Sequence, residues 1–550
     1  MRLNALFILC CLFSLQVCAQ TFKGRVVTEN GEAIPFATFY IRELTSGFIA
    51  DDRGYFQTAL SEGSYTCEVS SLGFVQQTVR LQIPPEGLNM ELVLSERVYE
   101  LHEVGITRSS EDPAYAVMRQ VISRAPFYEA HVRRYTADVY LKGTGKLEKI
   151  PAILKISKDV REMSKKFQGK LFVMEEQRRV TFTAPNVWEN EVKAYTNSFP
   201  EGLDVKVHTT DINFYKAKVF GKISPLSAGA FSYYRFKLES SYMQGEHLIN
   251  KIKVIPRKEN PDLLSGYLYV VENLWCLSAL EYFFNDATGV SLTVKVACNE
   301  VKPSTFLSTS IRLNSSMNVM GVKAEASYLS SIKYDELEIF DNPLLVNQTT
   351  EQSAQEAPKL TKKQQKNKAK VDALLQKEEL NTREAYQLSK LLTKSIREAD
   401  TAYHKNRYEH RQNVYKEERD SLAGKRDSIF WESLRSIPLR IEEQESYAYK
   451  EKLEMQKSEA KRDSASKKSV LGEALQLLTT GKTYRTKNQK GWITLGSLSA
   501  CVPEFNFVDG LWVGTKLKTG WKLNEQTTLH FIPEVYYASS REEVLFSGEL

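Results

Sequence analysis

Residue types that often carry catalysis or metal binding occur in this chain, but their spacing matches none of the usual chemical sites. The seven histidines, at positions 102, 131, 208, 247, 404, 410 and 530, are scattered along the sequence. His404 and His410 are six residues apart and do not share a helix face as a metal pair would, so we expect both on the surface. The sequence contains no G-x-S-x-G, H-E-x-x-H or P-loop motif. We therefore expect a non-enzymatic protein without a cofactor or a bound metal.

Two local patterns that resemble reactive sites have simpler explanations. Gly143 and Gly145 lack the third glycine of a dinucleotide-binding loop and lie in a predicted β hairpin. Glu442 and Glu443 lie in a region crowded with charged residues, where we expect solvated carboxylates and not an acid–base pair.

The N-terminus is typical of a secretory signal peptide. Arg2 precedes an apolar run over residues 5–15, and a small residue, Ala19, precedes the expected cleavage point. The run is shorter than the roughly 20 apolar residues of a transmembrane helix. Cleavage as a lipoprotein before Cys18 stays open as an alternative, although Val17 is bulky for that signal.

Export of the chain would leave four cysteines, at positions 67, 276, 298 and 501. None forms a C-x-x-C pair, so the spacing does not favour a zinc site. Cys276 and Cys298 lie on neighbouring predicted strands. They are compatible either with a disulfide in an oxidising compartment or with two buried thiols.

Length and net charge limit the number of domains and the classes of function that the chain can have. The 550 residues suggest several domains, and the formal net charge of +6 is small for this size. No clustered basic face accompanies a recognisable nucleic-acid-binding module, so we expect no nucleic-acid partner.

Residues 20–95 read as short strands separated by turns, which predicts a small antiparallel sandwich. Asp51 and Asp52 are expected in a tight turn, because Arg53 and Tyr55 occupy positions where a calcium loop needs oxygen ligands. The stretches GRVVTENGEAIPFATFYI, ADDRGYF, EGSYTCEVSSLGF and QTVRLQI resemble, in order, the carboxypeptidase regulatory-like domain. That resemblance implies a transthyretin-like, non-catalytic module that contacts other envelope proteins.

Residues 106–345 predict a helix followed by a curved antiparallel sheet. Asp112 is a natural N-cap before Pro113, and apolar residues then recur at helical spacing from Ala114 to Ile122. From residue 231 onwards, long alternating segments predict hairpins, one of them around Glu272 and Asn273. Such a sheet needs a cover on its apolar face, which the helix can supply.

The middle sheet is similar in pattern to the half-barrel of periplasmic lipoprotein carriers, whose concave face holds acyl chains. This similarity implies a lipid-binding module with the candidate lining Tyr234, Phe236, Tyr267, Trp275 and Phe283. The competing interpretation places these aromatic residues in the core beneath the helix.

Residues 346–470 are dominated by Lys, Arg, Glu and Gln and predict a charged helical linker, solvated and partly disordered. Within it, DSIFWESLRSIPLRIEEQESYAYKEKLE stands out. Together with DPAYAVMRQVI, ADVYLKG and SPLSAGAFSYYRFKLE, it resembles a Bacteroidota outer-membrane protein family of unknown function. The resemblance implies periplasmic domains, a C-terminal outer-membrane β-barrel, outer-membrane lipid as a partner and a role in envelope structure, assembly or transport.

Residues 485–550 alternate apolar with polar or small residues, as in Leu511, Val513, Leu529 and Phe531. This dyad is typical of transmembrane β strands, although a half-buried soluble sheet shows the same period. We expect the start of a barrel that is truncated at Leu550; whether the chain is a fragment or ends there naturally stays open. The expected fold class is thus mainly β with some α.

Overall fold

The computed structural model describes most of the chain after the predicted signal peptide. His404, His410 and Cys501 lie outside the described residues. The described residues are 20–71, 73–97, 111–152, 155, 158–199, 211–285, 289–319, 321–340, 362–377, 379–399, 414–426, 428–461, 482–485, 491–495, 504–506, 510–522, 528–538 and 543–549.

The N-terminal unit is a β-sandwich, as the sequence predicts. One sheet has the order β4-β1-β7 and the other the order β3-β2-β5-β6. The strands are β1 (Gln20–Thr28), β2 (Thr38–Ile41), β3 (Ser46–Ile49), β4 (Tyr55–Leu60), β5 (Gly63–Ser70), β6 (Gln77–Ile83) and β7 (Leu88–Leu94). The unit is not purely antiparallel, because β7 pairs in parallel with β1.

Aromatic side chains fill the space between the two sheets of the sandwich. Phe22, Phe39 and Phe48 pack around Phe56, with the rings of Phe39 and Phe48 stacked at 4.5 Å. Asp51 makes the predicted turn, since its Oδ1 accepts hydrogen bonds from the backbone N–H groups of Arg53 and Tyr55.

The middle of the chain forms one long curved sheet with the strand order β13-β14-β15-β16-β17-β18-β19-β8-β9-β10-β20. Neighbours are antiparallel except for β20, which runs parallel to β10. A small hairpin, β11–β12, lies outside this sheet. The strands are β8 (Val132–Lys149), β9 (Leu171–Thr183), β10 (Val187–Asn197), β11 (Lys218–Val219), β12 (Lys222–Ile223), β13 (Tyr234–Gln244), β14 (His247–Pro256), β15 (Ser265–Val271), β16 (Cys276–Asn285), β17 (Val290–Lys302), β18 (Thr305–Val319), β19 (Val322–Ile339) and β20 (Val414–Arg419).

One face of this sheet, here called the inner face, is covered by helix α1 (Ala114–Ala130). The backbone N–H groups of Ala114 and Leu238 both donate to Asp112 Oδ1 at 3.0 Å. The predicted cap therefore also ties the start of the helix to strand β13. Met118, Val121 and Ile122 are fully buried against the sheet, which confirms the predicted apolar stripe.

The predicted charged linker contains helices, but the prediction that it is solvated is wrong where these helices bury an apolar face. Leu388 and Leu392 are fully buried in a cluster that includes Phe127 of α1. They lie on α5 (Thr382–Ala399), so this helix packs against α1. The remaining helices are α2 (Lys158–Phe167), α3 (Ala230–Tyr233), α4 (Lys362–Leu375), α5 (Thr382–Ala399), α6 (Ser428–Leu434) and α7 (Ile441–Lys461).

Residues 414–461, here called the strap, hold the sandwich against the other face of the curved sheet, the outer face. The strap begins as β20, an unpredicted strand at the sheet edge, and continues as α6 and α7. Gln57 N–H of the sandwich donates to Ser436 O at 3.0 Å, and Arg440 pairs with Asp52 at 3.2 Å. The sandwich also pairs directly with β19 at Ser46 and Lys333.

The described residues after position 481 form a separate antiparallel sheet of six strands. Pairing of Trp521 with Leu529 and of Thr519 with Phe531 puts the alternating apolar positions on one face. Trp521, Leu529 and Phe531 are exposed there. The expected barrel stays a prediction. The strands are β21 (Lys482–Arg485), β22 (Gly491–Leu495), β23 (Glu504–Asn506), β24 (Gly510–Lys522), β25 (Thr528–Ala538) and β26 (Glu543–Glu549).

Candidate functional site

A cavity of 330 Å³, here called the inner cavity, lies between the inner face of the curved sheet and the C-terminal end of α1. Ile396 of α5 also contributes to its wall. Strand alternation in β8, β9, β18 and β19 directs apolar side chains into this space. The main apolar lining consists of Tyr135, Phe182, Trp188, Phe214, Phe306, Ile311 and Ile332.

Charged residues line the same cavity where it is more accessible to solvent. Arg133, Asp211 and Lys216 are half-buried, and Glu129 at the end of α1 is exposed. By contrast, Trp188 and Phe214 are only 5% and 4% exposed. The cavity therefore has an apolar interior and charges of both signs near its edge, which suits an amphipathic occupant.

Tyrosine hydroxyls supply polarity to the cavity without charge. Burial raises the pKa of Tyr135, Tyr215 and Tyr334 above the ordinary value, so all three hydroxyls are neutral at physiological pH. The Tyr334 hydroxyl donates to Ser308 O at 3.0 Å, and Leu277 N–H donates to the Tyr215 hydroxyl oxygen at 2.8 Å.

Trp188 adds a buried donor to the cavity wall. The Tyr135 hydroxyl is a polar neighbour of its indole. However, Trp188 Nε1 makes no hydrogen bond of ordinary geometry with any described residue. Trp188 and Tyr135 thus place an N–H donor and a hydroxyl side by side in the cavity wall, where an oxygen of an occupant could accept a hydrogen bond.

The five aromatic residues predicted to form a lipid-contacting lining do not share a surface. Tyr234 and Phe236 are buried beneath α1, and Trp275 packs against the same core, as the competing interpretation predicts. Tyr267 lies on the outer face with Lys251 4.6 Å from its ring centroid, and Phe283 follows the inner-face residue Tyr282 by one position. Because side chains alternate between faces, the common lining is wrong for Tyr267 and Phe283. None of the five lines the inner cavity.

The outer face carries a line of cross-strand neighbours that we call the outer row. The strand register places each member directly beside the next. Most members are charged, and those from Glu281 to Glu175 lie beneath the sandwich and the strap. The outer row consists of Lys253, Tyr267, Glu281, Lys295, Arg312, Leu329, Lys142 and Glu175.

At one end of the outer row, the strap supplies a buried counter-charge for Glu175. The fully buried Glu175 carboxylate accepts two hydrogen bonds from Arg435 at 2.8 Å, and others from the Tyr140 and Tyr447 hydroxyls at 2.7 and 3.0 Å. Burial alone would raise the pKa of Glu175, but the hydrogen bonds and charge of Arg435, together with Tyr140 and Lys142, hold it below the usual range.

The neighbouring ion pair overturns the prediction for the two adjacent glutamates. Glu442 is exposed as expected, but Glu443 is only 1% exposed and pairs with Lys142 at 2.7 Å. Glu443 Oε2 also accepts a hydrogen bond from Arg440 N–H at 2.9 Å. The sequence WESLRSIPLRIEE therefore encodes a docking segment.

Three of the four cysteines expected after export lie in the described part of the chain. Cys67, Cys276 and Cys298 are buried free thiols. Among the described residues, no group of three or more His, Cys, Asp or Glu side chains is arranged to hold a metal ion. No described helix is both long enough and apolar enough to cross a membrane.

The cavity residues come from segments that sequence reasoning did not connect. Alternation around Tyr135 indicates which residues of β8 face inward, and this was visible in the sequence. Trp188, Phe214 and Ile396 belong to three separate segments without a shared motif. Only the folding of the sheet around α1 brings them together.

Solved structures offer distant likenesses to part of the chain. A LolA superfamily protein from Nitrosomonas europaea is 8% identical, with a TM-score of 0.17, over 42% of this chain and 94% of that chain. A DUF1329 family protein from Desulfovibrio piger is 11% identical, with a TM-score of 0.17, over 41% and 94%. The Pseudomonas aeruginosa MucA/MucB complex is matched at 6% identity, with a TM-score of 0.15, over 40% and 99%. Likenesses at this level do not assign a function.

Family models match two regions of the chain, whereas no curated protein matches it. The first region, residues 22–106, covers the sandwich, and the second, residues 117–335, covers α1 and most of the curved sheet. The chain therefore carries a CarboxypepD_reg-like N-terminal domain followed by a region of a family of unknown function, DUF5686.

Proposed function

We propose that this protein is a non-enzymatic binding protein of the cell envelope that holds a hydrophobic ligand, such as a lipid acyl chain, in the inner cavity. The observation that carries the proposal is the 330 Å³ space lined by aromatic and aliphatic side chains between the curved sheet and α1. This volume lies within the range of about 300–1,000 Å³ that is typical of small-molecule sites.

The polar groups around the cavity favour an amphipathic ligand over a pure hydrocarbon. The charged side chains of Arg133, Asp211 and Lys216 line the more accessible part, where a headgroup would lie. The Trp188 Nε1 group would donate to an ester or carboxyl oxygen of the bound molecule. An acyl chain would occupy the aromatic interior.

The proposal extends to export and to residence at the outer membrane with periplasmic domains. The signal-peptide pattern of residues 1–19 supports export. The exposed apolar face around Trp521, Leu529 and Phe531 supports contact with outer-membrane lipid. The sandwich would then lie in the periplasm, available to other envelope proteins in an assembly or transport role.

Binding can be tested with the full chain, since the strap packs on the curved sheet and α5 packs on α1. Mass spectrometry of an organic extract of the purified protein should detect a co-purifying lipid, and a fluorescent fatty acid should bind in titration. Absence of both in a folded sample would overturn the proposal.

A pair of variants on one helix tests whether ligand binding uses the inner cavity. Ile396→Trp fills space at the α5 wall, whereas Tyr386→Trp changes an exposed position of the same helix that lies outside the cavity. Displacing two methylenes of an acyl chain costs about 1.6 kcal/mol, or about fifteenfold in affinity. We expect this loss for Ile396→Trp alone. Equal affinities of the two variants would place the ligand elsewhere.

A further inference from the structure

Arg312 is the exception among the charges of the outer row. Lys142, Glu175 and Lys295 each have an oppositely charged partner within 3.3 Å, and Lys253 lies 3.8 Å from Glu239. Arg312 forms no ion pair with any carboxylate in the described part of the chain. Asp52 acts on it only at longer range and is itself paired with Arg440.

Arg312 is half-buried, and the outer nitrogens of its guanidinium have no partner among the described residues. Burial lowers its pKa to about 10, so the guanidinium is still protonated at neutral pH. Its Nε donates to Asn314 Oδ1 at 3.2 Å, but its two Nη groups make no hydrogen bond to a described residue. A half-buried charge without an ion-pair partner favours an acceptor other than this chain's own described side chains.

The sandwich holds Arg312 in place through Phe36. The guanidinium carbon lies 3.0 Å from the centroid of the Phe36 ring. Phe36 has a φ of 60°, which is rare for a bulky residue, and its N–H donates to Asp51 O at 3.0 Å. Such conformations persist where the surrounding structure enforces them, and they often occur at ligand sites.

Arg312 lines a cleft of 310 Å³ between the sandwich and the outer face. Arg97 lines the same cleft, stacked 3.6 Å from the Tyr242 ring, and donates to Phe74 O. Among the described lining residues, Glu281 is the only carboxylate, and it is paired with Lys295. The cleft thus has an excess of positive charge supplied by two arginines.

We propose that this interdomain cleft is a second ligand site, in which Arg312 binds a phosphate or carboxylate group of a small molecule. Anionic oxygens fit the paired Nη donors of a guanidinium, and the stacked Phe36 ring fixes the plane of the donors. The site is separate from the inner cavity, on the opposite face of the sheet. It does not depend on the function proposed for that cavity.

Isothermal titration calorimetry of the full chain with inorganic phosphate and with acetate, at constant ionic strength, tests the site and distinguishes the two anions. Arg312→Gln should weaken binding of the preferred anion at least tenfold, as expected for the loss of charged hydrogen bonds. Arg25→Gln is the matched control, because Arg25 also lies over an aromatic ring, that of Tyr55, but outside the cleft. Failure of wild type to bind either anion, or equal binding by wild type and Arg312→Gln, would overturn the proposal.

Hydrogen exchange of the wild-type protein provides a test that does not depend on the folding of a variant. The anion should protect amides around Phe36 in the sandwich and around Arg312 in β18. Protection confined to other regions would show that the anion binds elsewhere and would refute the assignment.

Discussion

Replacing Arg435 by Met should loosen the strap by leaving a buried carboxylate without its main partner. Glu175 is fully buried, and both of its oxygens accept hydrogen bonds from Arg435. Met keeps much of the apolar bulk of the Arg side chain but neither its charge nor its donors. Removing one member of a buried ion pair typically costs about 3–5 kcal/mol. We expect about 3 kcal/mol, the lower end of that range, because the hydroxyls of Tyr140 and Tyr447 still bond the carboxylate.

The loss of stability caused by Arg435→Met should depend on pH, because it depends on the charge of Glu175. In wild type, the folded-state pKa of Glu175 lies below its unfolded value of about 4.3. Its stabilising contribution is therefore present above that value and is lost as the pH falls through the folded pKa. Without Arg435, the pKa of Glu175 rises. Acidification of the variant therefore protonates Glu175 and removes the cost of an unpaired buried charge. The difference in stability of the strap between variant and wild type should become smaller as the pH falls toward and below about 4.3.

Native-state hydrogen exchange measures the opening of the strap directly. A loss of about 3 kcal/mol corresponds to roughly 150-fold faster exchange of the protected amides in α7. Lys416 lies in the same strap and forms an exposed ion pair with Glu189 of β10. Lys416→Met should leave the exchange of the α7 amides nearly unchanged.

A double variant completes the test of the Glu175 network. Glu175→Gln combined with Arg435→Met should recover part of the lost stability, because the buried group is then neutral. Acceleration of less than tenfold in Arg435→Met would refute the reasoning. A double variant no more stable than Arg435→Met would do the same.

Two further predictions concern the packing of α5 and the buried thiols. Leu388→Ala should cost about 2–5 kcal/mol of local stability, because Leu388 is fully buried in the cluster that includes Phe127 of α1. Faster exchange should appear in α5 and not in the sandwich, and unchanged exchange in α5 would contradict this packing. Burial raises the pKa of Cys67 and of Cys298 to about 12, so iodoacetamide at pH 8 should label both slowly in the native protein and rapidly in urea. Peptide mass spectrometry measures this labelling, and prompt native labelling of either residue would argue against the buried thiol.

Much of the fold was predictable from short-range sequence signals. Asp112 and Pro113 mark the start of α1, and the alternation that begins at Tyr135 marks β8. The turn at Asp51 and the hairpin at Asn273 follow from local backbone chemistry. These features depend on residues close together in the chain, so they can be recognised without the tertiary structure.

The behaviour of the charged region was not predictable in the same way. Glu442 and Glu443 are adjacent and chemically identical, yet the first is exposed and the second is buried against Lys142. A charged side chain is solvated unless a distant partner compensates for its burial. Lys142 lies 301 positions away in sequence, and no local pattern relates the two residues.

The sequence by itself determined most of the element types, the sandwich, the helix-covered sheet and the resemblance to two families. The tertiary structure decided which face each aromatic residue occupies and where the cavities lie. Tyr267 and Tyr234 look equivalent in sequence, but the strand register sends one to the outer face and the other beneath α1. The physical reason is that register and curvature arise from backbone pairing between distant strands, whereas composition and periodicity report only on each strand separately.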